Sequence, residues 1–290
     1  MKEITLEQLL EAGCHFGHQV TRQNPKARDY IYESRDNIHI IDLVKTKEEL
    51  ETAAAFIKEV AQKGGTLILV GTKRQAKAVV EAQVKRVREA GASEIFTVTN
   101  RWIGGILTNF SEVAKNYKKL EEIGKNLESE EIKAGYTKKE IGGWVREKAK
   151  LESFYGGIAD MKTLPQVLFV IDTHMEDIAV QEAVKMHIPV VGIVDTNADP
   201  TLVDYPIPAN DDAVGSIELI TAYIMDAWIE GKTQKQSTDD SLRSIENKEK
   251  TKKSPEEKTV EGSQIAVDNT KTEPKKRGRK KKVEDADTTN

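Results

Sequence analysis

The sequence predicts an α/β protein whose parallel sheet is covered by helices on both faces. Short apolar runs recur along the chain, separated by amphipathic helical segments, at residues 66–70, 95–98, 166–171 and 189–194. Runs this short and this continuously apolar are typical of strands buried on both faces of a parallel sheet. Alternation of such strands with helices gives βαβ units, and a fold of three layers follows from them.

The chain begins with a short amphipathic helix and an irregular stretch. Thr5 is placed to cap that helix, and Gly13 is placed to end it. Residues 20–37 combine a proline, asparagines, cations and tyrosines, and we predict an irregular loop there. A strand at residues 38–41 and a helix at residues 45–62 follow.

Three further helices and an edge strand complete the predicted sheet domain. Apolar residues at helical spacing place the helices at residues 74–89, 176–186 and 212–230. A last strand is expected at residues 204–207, where prolines at positions 206 and 208 do not suit a central strand. We therefore expect this strand at the edge of the sheet.

One long segment interrupts the alternation of strands and helices. Residues 111–155 have the pattern helix, turn, helix, and their apolar residues recur at alternating intervals of three and four. This spacing is typical of a coiled-coil seam. We therefore predict an antiparallel coiled-coil hairpin at residues 110–155, inserted between the two parts of the sheet domain, residues 1–109 and 156–231.

The C-terminal part of the chain has a different composition. Residues 232–290 contain no aromatic residue and are rich in Lys, Glu, Ser and Thr, so we expect them to be disordered. They carry 16 Lys and Arg against 12 Asp and Glu, which leaves 28 against 36 for residues 1–231. An acidic body is a poor general binder of polyanions, so any contact with nucleic acid must come from local patches. The basic run at residues 275–282 either binds nucleic acid without specificity or only keeps the chain soluble.

Composition also restricts the compartment. No apolar run approaches the ~20 residues that span a bilayer, and the first residues do not have the pattern of a signal peptide. The single cysteine, Cys14, excludes an internal disulfide and fits a reducing compartment. We therefore expect a cytosolic protein without a membrane partner.

Residues 99–110, TNRWIGGILTNF, form a hinge between a predicted strand and the helical hairpin. Arg101 and Trp102 follow the carboxyl end of that strand, where a guanidinium group and an indole ring suit a phosphate and a flat base. The alternative is that Trp102 belongs to the core and Arg101 forms a surface ion pair. Thr108 or Asn109 is placed to cap the helix that follows, and Asn109 is also a candidate sugar contact.

Two more cationic groups are candidates for contact with phosphate. Arg22, Lys26 and Arg28 alternate with tyrosines in the first loop, a pattern found on RNA-binding surfaces and in ordinary solvated loops alike. Lys73 and Arg74 lie at a predicted helix start, which suits a phosphate, free or in RNA. Neither GxxxxGK[ST] nor GxGxxG is present, so the signal for a nucleotide enzyme is weak.

Catalytic and metal motifs are weak as well. Cys14 has no CxxC or HExxH partner in the sequence, and no catalytic residue, cofactor or metal is predicted. His18 with Asp195, Asp211 and Asp212 would suit a divalent cation if the carboxyl edge of the sheet brought them together. Turn and capping roles explain the same aspartates, so the sequence leaves this question open.

A set of motifs occurs in order between residues 5 and 230. They are LLEAGCHFGHQ with NPK at 24–26, IHIIDLVKT at 38–46, LILVGTKR at 67–74, NRWIGGILTNF at 100–110, GGIADM at 156–161, LPQVLFVID at 164–172, IPVVGIVDTNADP at 188–200 and IPANDDA at 207–213. With these motifs the chain resembles the bacterial small-subunit ribosomal protein two family. Gln23 and Asp29 depart from the usual family pattern, which has Trp and Pro at these positions.

The resemblance implies a flavodoxin-like α/β/α domain with a protruding coiled coil, and it implies no catalysis. It also implies binding to small-subunit ribosomal RNA, contact with other small-subunit proteins, and help in docking small-subunit ribosomal protein one. The predicted RNA contacts are Arg22, Lys26, Arg28, Lys73, Arg74, Arg101, Trp102 and Asn109.

Two alternatives remain at this level. One is a cytosolic flavodoxin-like enzyme that binds a phosphorylated small molecule near residues 71–74. The other is a docking module that uses the helical hairpin to bind a protein partner.

Overall fold

The computed structural model describes residues 3–92 and 94–251, and it describes side chains as far as residue 235. Residues Met1–Ile245 form one compact unit, which holds every strand in the described part of the chain. The strands are β1 (Phe16–Gln19), β2 (Ile31–Arg35), β3 (Ile38–Ile41), β4 (Leu67–Val70), β5 (Ile95–Val98), β6 (Val167–Val170), β7 (Val190–Val194) and β8 (Tyr205–Pro208). The helices are α1 (Leu6–Glu11), α2 (Leu43–Gln62), α3 (Arg74–Glu89), α4 (Phe110–Glu128), α5 (Glu130–Ala134), α6 (Lys138–Tyr155), α7 (Asp177–Lys185) and α8 (Val214–Thr251).

Strands β4 to β8 form the predicted parallel sheet. Their order is β5-β4-β6-β7-β8, and every neighbouring pair is parallel. The first of these strands in the chain lies second in the sheet, which is the strand order of flavodoxin-like folds. The proline-containing strand β8 lies at the edge, as predicted from the missing amide hydrogens of proline. The α/β prediction is confirmed.

The two faces of this sheet carry separate apolar cores, which makes three layers. Leu67 and Leu69 of β4 join one core with residues of α2, α3 and α8. Ile68 and Val70 join the other core with residues of the hinge, α4 and α7. Successive side chains of a strand point to opposite faces, and all four of these side chains are fully buried.

The N-terminal segment is more regular than predicted. Strands β1, β3 and β2 form a small antiparallel sheet in that order. Asp36 and Asn37 join β2 to β3 with φ values of 51° and 62°. This left-handed pair is typical of a two-residue hairpin turn, and Asp and Asn tolerate it. The irregular loop expected at residues 20–37 is therefore corrected, since its second half is strand and turn.

Helices α4 and α6 pack against each other in antiparallel directions. Lys119 of α4 pairs with Glu147 of α6, while the Asn116 side chain, nearer the start of α4, donates to the Tyr155 hydroxyl at the end of α6 at 3.4 Å. The rings of Tyr117 and Tyr155 meet edge to face, with centroids 5.7 Å apart. A helical hairpin is therefore present, and its packing as a true coiled coil stays a prediction.

The last helix is longer than predicted. The pattern predicted a helix at residues 212–230 and disorder from residue 232, but α8 runs from Val214 to Thr251. The predicted tail is therefore helical at residues 232–251. Residues 252–290, with the basic run at 275–282, lie outside the described residues. No described helix is long and apolar enough to cross a membrane.

Lys232 shows why composition misplaced that boundary. Its side chain is buried, with Nζ donating to the Gly65 carbonyl at 2.8 Å and pairing with Glu94. The ammonium group also lies 4.8 Å from the centre of the Trp228 ring, a cation–π contact. A lysine that looks like the start of a charged tail is thus part of the packed domain.

Candidate nucleic-acid interface

The carboxyl edge of the parallel sheet collects most of the candidate residues. Parallel strands end on the same side of a sheet, so the loops that follow them meet there. Lys73 follows β4, Arg101 follows β5, Asp172 follows β6, Asp195 follows β7, and Asp211 follows β8.

Lys73 is held inside a cage of carboxylates. Its Nζ lies 3.0 Å from Asp172 Oδ2, 2.8 Å from Asp211 Oδ1 and 2.7 Å from Asp212 Oδ1. Burial opposes the charged ammonium, but the hydrogen bonds to Asp211 and Asp212 outweigh it and raise the pKa of Lys73. The prediction that Lys73 faces a phosphate is corrected, because its charge is already neutralised within the fold.

His18 approaches the same acidic cluster. Its Nδ1 lies 3.1 Å from Asp195 Oδ2, and its Nε2 lies 3.6 Å from Asp212 Oδ2. The contact between His18 Nδ1 and Asp195 Oδ2 has the distance of an ion pair but not the angle of a hydrogen bond. Asp195 Oδ2 is therefore buried without a hydrogen-bond partner. Asp195 raises the pKa of His18, against the effect of partial burial. Burial, with Asp172 and Asp195 nearby, raises the pKa of Asp211 to about 7.

His18, Asp195 and Asp211 are the residues that could hold a divalent cation. One ligand atom from each lies within 4.8 Å of the others. Asp195 Oδ2 and Asp211 Oδ2 are buried and accept no hydrogen bond, which fits oxygen ligands available to a cation. Lys73 competes for the same group, because its ammonium already bonds Asp211.

The first loop is tied to the same edge of the sheet. The backbone N–H of Asn24 donates to the backbone carbonyl of Thr196 at 2.8 Å, and Thr196 lies just after β7. Arg22 and Arg28 are exposed. Lys26 is less free, because its Nζ lies 2.6 Å from Asp199 Oδ2.

The hinge places its two predicted contacts differently. Arg101 is exposed, whereas Trp102 is only 5% exposed and belongs to the second core. Trp102 Nε1 donates to Glu182 Oε1 at 3.2 Å. The prediction that a base stacks on Trp102 is therefore corrected in favour of the core alternative.

Glu182 of α7 organises the hinge, and the sequence analysis missed it. Its carboxylate accepts hydrogen bonds from Trp102 Nε1, Gly105 N, Leu107 N, Thr108 N and Thr108 Oγ1, at distances of 2.7 to 3.2 Å. Burial disfavours the charge, but the N–H groups of Gly105 and Thr108 outweigh it and lower the pKa of Glu182. The available signal was a glutamate on the otherwise apolar face of α7, beside Ala179 and Ala183.

The hinge geometry also explains its glycine and corrects the predicted caps. Gly105 has a φ of 100°, a backbone conformation that residues with a Cβ atom rarely adopt. Thr108 does not cap α4, because the cap position is occupied by Asn109, and the Thr108 hydroxyl donates to Glu182 instead. Asn109 is exposed at the cap position, where only its backbone carbonyl accepts hydrogen bonds, from Glu112 N and Val113 N.

Four arginines are left as available cations around this edge. Arg22, Arg28, Arg74 and Arg101 are exposed, and their guanidinium groups make no hydrogen bond or salt bridge with a described residue. Burial opposes the charge of Asp212, but Lys73, with smaller contributions from His18 and Arg22, lowers the pKa of that carboxyl group. Arg74 opens α3, next to the caged Lys73.

Comparison with known proteins agrees with the fold and the motifs. The ribosomal protein S2 family matches residues 9–231. A curated relative, the small ribosomal subunit protein uS2 of Coprothermobacter proteolyticus, is 49% identical over 236 residues, or 81% of this chain and 85% of the relative. The chain therefore belongs to the bacterial ribosomal protein S2 family and is a structural, non-enzymatic protein of the small ribosomal subunit.

Proposed function

We propose that this chain binds the RNA of the small subunit through exposed arginines at the carboxyl edge of its sheet. In doing so it supports translation as a fixed part of the particle, and it helps to dock small-subunit ribosomal protein one. Cys14 is buried and free, which fits work in the reducing cytosol.

The observation that carries the proposal is that this edge holds one cation paired with carboxylates and four cations exposed to solvent. Lys73 is neutralised by three carboxylates, whereas the guanidinium groups of Arg22, Arg28, Arg74 and Arg101 face solvent without a hydrogen bond or salt bridge to a described residue. Guanidinium groups left free in this way suit phosphate oxygens, which they bind in a bidentate manner. An acidic body can then bind RNA locally without attracting it everywhere.

Rigid display of these arginines supports recognition of RNA shape rather than sequence. The Glu182 carboxylate fixes the backbone after Arg101, and the main-chain bond between Asn24 and Thr196 ties the first loop to the sheet. Contacts to phosphate and sugar fix orientation on folded RNA and carry little sequence information. Lys26 and Asn109 remain candidates for such contacts, whereas Lys73 and Trp102 act from within the fold.

Docking of protein one is supported by apolar side chains on the N-terminal segment. Leu6 and Leu10 of α1 are 44% and 53% exposed and lie one helical turn apart. Phe16 and Tyr32 are also largely exposed. Exposed apolar groups of this size suit a protein partner. Leu6→Ser with Leu10→Ser should weaken capture of purified protein one, and unchanged capture would remove this face from the proposal.

The RNA-binding proposal is tested by neutralising two of the arginines. Arg74→Gln with Arg101→Gln should weaken binding to purified small-subunit RNA and lower the slope of log K against log salt by about two, one per phosphate contact. The matched control is Lys85→Gln with Arg88→Gln, which removes the same charge from exposed positions at the other end of α3. Equal losses in both double variants would contradict a specific role for this edge.

A further inference from the structure

A cleft opens at the carboxyl edge where the strand order of the sheet reverses. After β4 the chain continues to β5 on one side of the sheet, and after β6 it continues to β7 on the other side. The strand order therefore reverses between β4 and β6. The cleft has a volume of about 340 Å³, and Thr72, Arg101, Met175 and Ile178 are among its lining residues. Crevices at such switch points are the usual ligand sites of open α/β sheets.

Two of the side chains that line the cleft are apolar and exposed. Met175 is 54% exposed and Ile178 is 51% exposed, although both are large apolar side chains. Trp102 also lines the cleft, but it is only 5% exposed and offers little surface to a base. Apolar walls of this kind suit the flat face of a nucleobase, which gains from contact irrespective of its identity.

Polar groups are placed at the rim and within the wall. Arg101 lines the cleft and is exposed, with no partner among the described residues. Glu176 also lines it, and the Thr72 hydroxyl donates to Glu176 Oε1. Carboxylates accept hydrogen bonds from the amino groups of bases, and guanidinium groups bind phosphates.

The walls are held in place before any ligand arrives. Asn100, another lining residue, accepts from Lys77 Nζ at 2.7 Å and donates to the Ser153 carbonyl at 2.5 Å. Trp102 is held by Glu182. A cleft whose walls are already fixed loses little entropy on binding.

We propose that this cleft holds one unstacked nucleotide, with its base against Met175 and Ile178 and its phosphate at Arg101. The inference rests on the proposed function, because it takes an unpaired position of the small-subunit RNA as the source of that nucleotide. The volume lies near the lower end for ligand sites, so it suits a single nucleotide and not a duplex.

The experiment compares two substitutions on one helix. Ile178→Glu places a charge in the cleft, whereas Val184→Glu is the matched control, since Val184 is 46% exposed on α7 and does not line the cleft. Each chain is bound to purified small-subunit RNA, and base-specific chemical probing is read at every nucleotide. Circular dichroism establishes that both variants are folded.

We expect the wild-type chain and Val184→Glu to protect one unpaired nucleotide that Ile178→Glu leaves reactive. The affinity of Ile178→Glu for the RNA should fall by about fivefold or more, as for the loss of one base contact. Arg101→Gln should expose the same nucleotide. Identical protection by all the chains, with RNA binding intact, would overturn the cleft assignment and leave the proposed function standing.

Two further outcomes separate the inference from the proposed function. If the wild-type chain does not bind the RNA at all, the proposed function fails and the RNA source of the nucleotide fails with it. Equilibrium dialysis against guanosine and cytidine monophosphates tests the other source. One result would overturn the RNA source and assign the cleft to a free nucleotide. In it, the wild-type chain binds a nucleoside monophosphate saturably, Ile178→Glu abolishes that binding, and the wild type and Ile178→Glu protect the RNA identically.

Discussion

The carboxylate of Glu182 accepts hydrogen bonds from five donors of the hinge, which water would otherwise satisfy. Those donors come from residues 102–108, which follow β5, while Glu182 itself lies on α7. Hydrogen bonds to a charged acceptor are stronger than those between neutral groups, and buried donors without an acceptor are costly. Glu182 is therefore the residue that gives the hinge its shape.

Glu182→Gln should destabilise the fold strongly. The amide keeps the size of the side chain but turns one acceptor into a donor that faces backbone N–H groups. We expect the free energy of unfolding in urea to fall by about 3 kcal/mol. Glu81→Gln, at an exposed position of α3, is the control and should change little. A loss at Glu182 no larger than in the control would contradict the assigned role.

The same carboxylate predicts a dependence on pH. Its pKa in the folded chain lies below the ordinary value of 4.5, so the charged form stabilises the fold. This contribution is present above the ordinary pKa and is lost as the pH falls through the lowered folded value. The stability difference between wild type and Glu182→Gln should stay constant above about pH 5 and shrink as the pH falls further, through the lowered pKa of Glu182. Urea unfolding across this range measures it, and a difference that grows with acid would contradict the prediction.

For two of the predicted RNA contacts, the sequence could not show which distant residues surround the side chain. Lys73 meets Asp172 and Asp211, which lie 99 and 138 positions away along the chain. Trp102 is covered by partners from α7 and the sheet. Residue type and loop placement identified where cations cluster, but the choice between exposed and caged cations depends on such distant partners.

At the scale of elements, period and composition predicted the elements that are continuously apolar and missed those that carry no apolar signal. Strands β4, β6 and β7 were found because each is apolar and buried on both faces. β2 was missed because its residues are mostly exposed and polar, so it lacks an apolar signal. The boundary of the packed domain was misplaced at Lys232, because this residue is buried through one carbonyl, one carboxylate and one ring, which composition does not encode.

The helical hairpin predicts a separable element. Its main packing is between α4 and α6, and Lys119 pairs with Glu147 near its middle. Replacing residues 122–145 with a short Gly-Ser linker keeps the base of the hairpin, including Val113, Tyr117 and Tyr155, in the second core. We expect the melting temperature to change by no more than about 4 °C, since few contacts with the sheet are lost.

Binding by the shortened chain distinguishes two roles for the hairpin. If the sheet edge carries RNA binding, the shortened chain should retain its affinity for small-subunit RNA, and the arginine substitutions should still weaken it. Loss of RNA binding by a folded, shortened chain would show that the hairpin carries the contact. Loss of a protein partner alone would support the docking role considered from the sequence.

At the scale of the whole molecule, the chain is an acidic body with four exposed arginines around the carboxyl edge of its sheet, and Arg35, Arg88 and Arg146 are exposed elsewhere. Residues 1–231 carry 28 Lys and Arg against 36 Asp and Glu, so general attraction to RNA is weak. The described cations away from this edge are in many cases paired with nearby carboxylates, as Lys58 with Glu230 and Arg86 with Asp226. We expect the four arginines of this edge to contribute most of the binding to the particle.

Sedimentation of gently lysed cells that express a tagged chain tests this account most directly. The wild-type chain should peak with the small subunit. A folded variant with Arg22, Arg28, Arg74 and Arg101 changed to Gln should shift to the top of the gradient, with the bound fraction reduced by about tenfold or more. A variant that stays with the small subunit like the wild type, or a wild-type chain that runs free of the particle, would contradict it.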